Sequence, residues 1–403
     1  MRNDCVFINC SIATMDARKS GYGLLENAAI ALRGGRVTWL GSQADLPAEY
    51  SALECEDLKG RLITPALIDC HTHIVFGGNR AREFEMRLNG ASYQDIAAAG
   101  GGILSTVNAT RKASDEQLLE SALGRLDSLI AEGVAVVEVK SGYGLNIDDE
   151  IRMLRVARML EQYRPVKIVT TWLAAHAVPS SYQGCADSYI DEVVIAGLKL
   201  AAASGLVDAV DGFCESIAFS AEQIARVFTA AQNLNIPVKL HAEQLTNQRG
   251  ALTACEFKAL SVDHLEYLPQ EDVSHLAASG TVAVMLPVAF YTLNETQRPP
   301  IQAFRQHGVP MAVATDCNPG SSPTSSILLA MNMACTQFAM TPLEALIGTT
   351  RAAAKALGLD SHHGQIRLGD EAELAIWNVK HPAELSYWTG ASPLYKSLSK
   401  AKL

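Results

Sequence analysis

The sequence predicts an α/β fold: a (β/α)8 TIM barrel carrying a small β-sandwich assembled from both chain ends. Three observations predict it. Eight short apolar runs alternate with amphipathic helical stretches through the middle of the chain, as expected of parallel strands buried on both faces. The two ends read instead as short strands broken by Gly and Asn/Asp turns. The length, 403 residues, exceeds what one ordinary domain holds.

At the N-terminus, strands are expected over 6–8, 29–32 and 37–40, with Arg33-Gly34-Gly35-Arg36 as a turn. Near the other end, 364–367 and 373–377 flank the turn Leu368-Gly369-Asp370 and read the same way. The barrel strands are expected at 65–73, 134–140, 167–173, 206–214, 237–243, 259–264, 281–286 and 310–316. Helices are expected over 115–131, 149–162 and 220–235, the first inside a long insert that also holds Gly100-Gly101-Gly102. That glycine run lacks the preceding strand and the Gly-Lys-Ser/Thr ending of a phosphate cradle, so it reads as a flexible lid or a turn. The expected division is 1–64 and 355–403 for the sandwich and 65–354 for the barrel.

Composition narrows the function classes. Hydrophobic residues make up 48% of the chain and charged residues 19%, a globular balance, and 43 acids against 33 bases give a net charge of −10. That charge disfavours nucleic acid and anionic membranes as partners, because both demand a basic surface. A small anionic substrate remains possible if one placed arginine receives it. Nine cysteines, none in a C-x-x-C pair, read as reduced thiols in a cytoplasmic protein. Neither a signal peptide nor a transmembrane run is expected.

Asp69-Cys70-His71-Thr72-His73 closes the first barrel strand. Residues two apart on a strand share a face, so both imidazoles point into the barrel mouth and form half of a metal site. Five of the ten histidines, His71, His73, His176, His241 and His264, fall at or just past C-terminal strand ends, together with Asp316, Lys140 and Glu215. Barrel enzymes place their chemistry on that face. Three imidazoles and one carboxylate hold a divalent ion while leaving a position for water, which selects His71, His73, His241 and Asp316 as ligands. His264 is expected beside the water, with Asp316 also accepting its proton. Lys140 and Glu215 are expected to be ion-paired supports.

The segments 64–73, 76–80, 138–144, 175–179, 241–244, 263–266 and 314–323 resemble the amidohydrolase superfamily. Their flanks are most similar to the branch that opens an imidazolone ring. The resemblance implies hydrolysis of 4-imidazolone-5-propanoate to N-formimidoyl-L-glutamate in histidine degradation, with one Zn2+ or Fe3+ ion per subunit and a homodimer. It implies that Arg80 binds the substrate carboxylate and that Tyr93, Tyr143, His176, Gln244, Asn318, Gly320 and Ser321 are further substrate contacts. The tail's carboxylate suits a guanidinium fork independently of the resemblance. Three places depart from the family pattern: Val288, Gly212 and the Ala135-Val136 pair.

Two competing readings are weaker. A ring deaminase of the same superfamily places a glutamate three residues after the fifth-strand histidine, where this chain has Gln244. A non-catalytic barrel relative loses ligands, whereas all four are present.

Overall fold

The computed structural model describes residues 4–91 and 100–399. Strands β1 (Cys5–Ala13), β2 (Leu24–Arg33), β3 (Arg36–Ser42) and β4 (Glu54–Pro65) belong to the N-terminal segment. The barrel strands follow in chain order: β5 (Leu67–Asp69), β6 (Val134–Lys140), β7 (Lys167–Ala175), β8 (Ala209–Cys214), β9 (Lys239–Ala242), β10 (Ser261–His264), β11 (Val282–Met285) and β12 (Met311–Val313). Near the C-terminus, β13 (Leu374–Trp377) and β14 (Leu394–Leu398) return to the first segment.

The eight middle strands pair in parallel, each with the next, as expected from their apolar runs. The barrel closes at its mouth, where Thr72 bridges Cys317 in parallel and the Asp316 amide donates to the His71 carbonyl at 3.0 Å. This closure sets the expected first and last ligand segments side by side.

The termini join in a six-stranded sheet ordered β14-β13-β4-β1-β2-β3. The two faces of this sheet carry separate apolar clusters, one around Phe7, Ile12, Ile30 and Ile376 and a smaller one around Val6, Ala31 and Tyr50. Strand β4 was not expected; its first half, Glu54 to Gly60, is polar and largely exposed, so it carries no apolar run. Residues 364–367, expected as a strand, form none: the Ile366 amide reaches Thr14 O, just past β1, at 2.8 Å. Gly364 there is left-handed (φ +77°) and a Cβ would lie 2.6 Å from the Thr350 carbonyl carbon.

The sheet docks on the barrel through Trp377. Its side chain is fully buried in one cluster with Leu67, Val134 and Leu129, and its indole N–H donates to Thr64 Oγ1 at 2.9 Å. Gly133 makes room for it, since a Cβ at that point would meet the indole at 2.7 Å.

Helix starts follow local chemistry. Ser114 and Ser220 close capping boxes with Gln117 and Gln223 ahead of the helices Asp115–Ala131 and Ala221–Asn233. Asn146 caps the helix Ile147–Tyr163. Gly102, from the glycine run, precedes a further helix, Ile103–Lys112, that the sequence reading did not mark. Gly212 has a packing reason: a Cβ would lie 2.5 Å from Ile224 Cδ1 of the helix covering β8.

Candidate active site

The ligand candidates converge because the strand ends do. Asp69, ending β5, accepts from the Thr315 amide at 3.1 Å and from Thr315 Oγ1 at 2.6 Å, tying the first strand to the last. Burial pushes this carboxyl up to about 7. His71 and His73 follow directly, His241 sits within β9, and Asp316 lies just beyond β12. Asp316 (φ 53°), His264 (φ 84°) and Leu265 (φ 71°) all occupy the left-handed region. Each such non-glycine residue costs on the order of 1–3 kcal/mol, and here the strain turns side chains into the mouth. In an ideal strand Asp263 and His264 would face opposite ways. The backbone turn at His264 instead brings its ring within 5.6 Å of the His241 ring.

Asp316 Oδ1 lies 3.3 Å from His71 Nε2 and 3.4 Å from His73 Nε2, and His73 Nε2 lies 3.4 Å from His241 Nε2. Two groupings have ligand atoms close enough to share an ion: His71 with His73 and Asp316, and His71 with His241 and His264. His71 Nε2 and His73 Nδ1 are buried without a hydrogen-bond partner. The His71 Nε2 lone pair, which faces Asp316, is costly unless something fills that space, and a three-nitrogen, one-carboxylate set suits a divalent metal.

Beneath the ligands lies a fully buried ionic layer. Asp263 Oδ2 sits 2.5 Å from His71 Nδ1, and Asp211 Oδ2 sits 3.1 Å from His241 Nδ1. Lys140 Nζ reaches Asp211 and Glu138 at 2.8 Å each, and Lys239 Nζ reaches Glu138 at 3.0 Å. His71 thus gives its Nδ1–H to Asp263, Asp211 stands beside His241 Nδ1, and both rings turn Nε2 towards the centre. Burial opposes the Asp263 charge, but Lys239, His71 and Lys140 outweigh it and hold the carboxyl well below its usual range. Lys140 is therefore an ion-paired support. Glu215 is a loop anchor, accepting from the Leu245 amide at 2.8 Å and Thr246 Oγ1 at 2.6 Å.

The sequence reading missed Glu138, Asp211, Lys239 and Asp263. A signal existed: charges two apart in otherwise apolar strands, Glu138 with Lys140 and Lys239 with His241, share the inner face and require partners there.

Several of the expected substrate residues lie near the ligands. The Arg80 Nε donates to Thr106 Oγ1 at 2.9 Å, and its guanidinium lies against Gly320, where a Cβ would come 2.7 Å from Nη1. His176 stacks on His73 with centroids 5.4 Å apart, and Tyr143 lies 5.4 Å from His176 and 5.9 Å from His73. The Asn318 side chain is engaged within its own loop: Oδ1 accepts from the Gly320 and Ser321 amides at 2.8 Å, and Nδ2 donates to Asp316 O at 2.7 Å. Ser321 Oγ lies 3.0 Å from Asn318 Nδ2. Gln244 is half-buried, next to Glu243, which caps the helix Gly250–Glu256 through the Gly250 and Ala251 amides. Tyr93 lies outside the described residues. His264 Nδ1 and Glu266 Oε2 face each other at 4.0 Å, both buried and without hydrogen-bond partners.

Residues 62–401 match the amidohydrolase family model. The imidazolonepropionase of Ruegeria pomeroyi is 59% identical over 393 residues, 98% of each chain. That of Paracoccus denitrificans is 58% identical, again over 98% of each chain. The chain belongs to the amidohydrolase family and, within it, to the imidazolonepropionases. Solved structures share the fold: a triazine hydrolase variant superposes with a TM-score of 0.77 at 17% identity, covering 99% of this chain and 94% of that one. A 5-methylcytosine deaminase from Klebsiella pneumoniae gives 0.75 at 16% identity, covering 98% and 95%.

Proposed function

We propose that this chain hydrolyses a ring C–N bond of 4-imidazolone-5-propanoate to give N-formimidoyl-L-glutamate, a step of histidine degradation. The observation that carries the reading is the convergence of His71, His73 and His241 Nε2 with Asp316 Oδ1, in a chain most of whose length matches imidazolonepropionases.

In this reading His71, His73, His241 and Asp316 hold one zinc or iron(III) ion. The ion, when bound, acidifies a water and polarises the ring carbonyl. Arg80 receives the propanoate carboxylate in a two-point grip. Tyr93, Tyr143, His176, Gln244, Asn318, Gly320 and Ser321 are the further substrate contacts, and Asn318 also holds the Gly320–Ser321 turn. Burial pushes His264 down to about 3, so its imidazole is neutral and orients the attacking water by a hydrogen bond. Asp316 is ionised: burial works against its charge, but the imidazoles of His71 and His73 beside it hold it well below the usual carboxylate range. It takes the water's proton, and Gln244, an amide, cannot. The water oxygen bonds to the carbonyl carbon, the ring C–N bond breaks, and the proton ends on the released nitrogen.

We also propose a homodimer in the cytoplasm, with residues 1–64 and 355–403 forming one small domain beside a 65–354 barrel. Nine free thiols suit a reducing compartment, and no described helix is long and apolar enough to cross a membrane.

The test is turnover of 4-imidazolone-5-propanoate beside guanine and dihydroorotate, with metal content measured on the same sample. Ring opening of the first alone is expected. A metal-loaded protein inert towards it would sink the assignment.

A further inference from the structure

We propose that Glu150 is a positioning residue that sets Tyr143 and His176 against the substrate. The turn after β6 carries Tyr143 between two glycines, and Glu150 reaches back to it from the first turn of the helix Ile147–Tyr163. The Glu150 carboxylate is fully buried. Its Oε2 accepts from the Gly142 amide at 2.7 Å, and its Oε1 accepts from the Gly144 and Leu145 amides, also at 2.7 Å. Three donors on both sides of Tyr143 thus end on one side chain.

The opposite side of the turn belongs to His176. Its Nδ1–H donates to the Gly142 carbonyl at 2.9 Å, and a Cβ on Gly142, whose φ is +111°, would come 2.8 Å from that same nitrogen. Gly144 is equally enclosed, since a Cβ there would lie 2.5 Å from the Glu150 amide nitrogen. The turn is held between Glu150 and His176, so a change at Glu150 is passed to both rings. Glutamine at 150 would replace one accepting oxygen by an NH2 facing an amide donor, leaving buried N–H groups unpaired.

This inference rests on the reading that Tyr143 faces the substrate, and its test separates the two. Steady-state kinetics and metal content are measured for the full-length wild type, Y143F, E150Q and the double variant. E150Q is expected to raise KM for 4-imidazolone-5-propanoate about 10–100-fold, the scale of a displacement near 1 Å, with metal content and kcat close to wild type. Because part of the Glu150 effect passes through Tyr143, adding E150Q to Y143F should raise KM by less than E150Q does alone. An impaired Y143F beside a wild-type E150Q, or fully multiplicative effects, overturns the role of Glu150 alone. A wild-type KM in Y143F overturns both readings. Should E150Q not fold, G142A, which forces a Cβ towards His176 while keeping Glu150, is expected to raise KM in the same way, and a wild-type KM there counts against the proposal.

Discussion

His71 Nδ1 and Asp263 Oδ2 lie 2.5 Å apart with no solvent exposure on either side chain. This pair decides which nitrogen of His71 faces the centre, and it also decides what Asp263 does. The carboxylate next to His264 in sequence serves His71, a ligand from five strands away. Lys239 and Lys140 stand 3.9 and 4.0 Å from the same oxygen and keep it ionised. Asp263→Asn should therefore weaken metal binding about 10–100-fold, as loss of an outer partner of a metal-bound histidine does elsewhere. Competition with a chromophoric chelator measures it. An unchanged affinity would show that His71 is oriented by packing alone.

Removing the metal should abolish turnover and lower the thermal midpoint, because an ion bound only by the folded state adds stability of about 4 kcal/mol at a thousandfold excess over its Kd. Dialysis against a chelator followed by calorimetry checks this, and re-addition should restore both quantities. His241→Ala is expected to lose the ion without chelator treatment.

Gly320 gives Arg80 its seat, since a Cβ would stand 2.7 Å from Nη1. Gly320→Ala should raise KM for the propanoate substrate about tenfold with kcat nearly preserved, the mark of lost uniform binding. Arg80→Ala should raise it further. A tail-less imidazolone should be handled alike by both variants and the wild type.

Trp377→Ala should destabilise the protein by about 3–5 kcal/mol, the usual cost of emptying a buried aromatic site. The loss falls where the terminal sheet meets the barrel, so denaturant unfolding should show reduced stability while the folded variant retains its metal.

Glu344 and Arg305 give a pH-dependent contribution. Arg305 Nε and Nη2 approach the carboxylate at 2.6 and 2.7 Å. Burial works to raise Glu344, but the Arg305 bonds and the Thr341 cap outweigh it and lower it from 4.5. A depressed native pKa stabilises above the unfolded value and is lost as pH falls through the native one. The stability gap between wild type and Glu344→Gln, about 0.5–1 kcal/mol for a half-buried pair still reached by solvent, should be full at pH 7 and shrink below pH 4.5. Urea titrations across that range measure it.

Much of the barrel was legible because its strands are apolar runs with the right punctuation. The expected 134–140 coincides with β6, six other runs each contain a barrel strand, and 167–173 falls inside the slightly longer β7. Strand β4 was illegible because half of it is polar; what makes it a strand is pairing with β1 and β13, distant partners that no local pattern announces.

The site divides the same way. His71, His73, His241, His264 and Asp316 were legible as polar residues at apolar strand ends. What no local pattern announced is the second task of Asn318, whose oxygen accepts from the amides of its own turn.

By itself, then, the sequence determined the number of barrel strands, the face that carries the chemistry and the residue types available to it. All of these follow from periodicity and from the cost of burying a charge without a partner. The tertiary structure alone decided the pairings: Asp263 with His71, Lys140 with Asp211, and Asp316 with both histidines of the first strand. Those depend on the register at which Thr72 meets Cys317 to close the barrel. Register between strands far apart in the chain is set by packing of the whole ring, and no short stretch of residues encodes it.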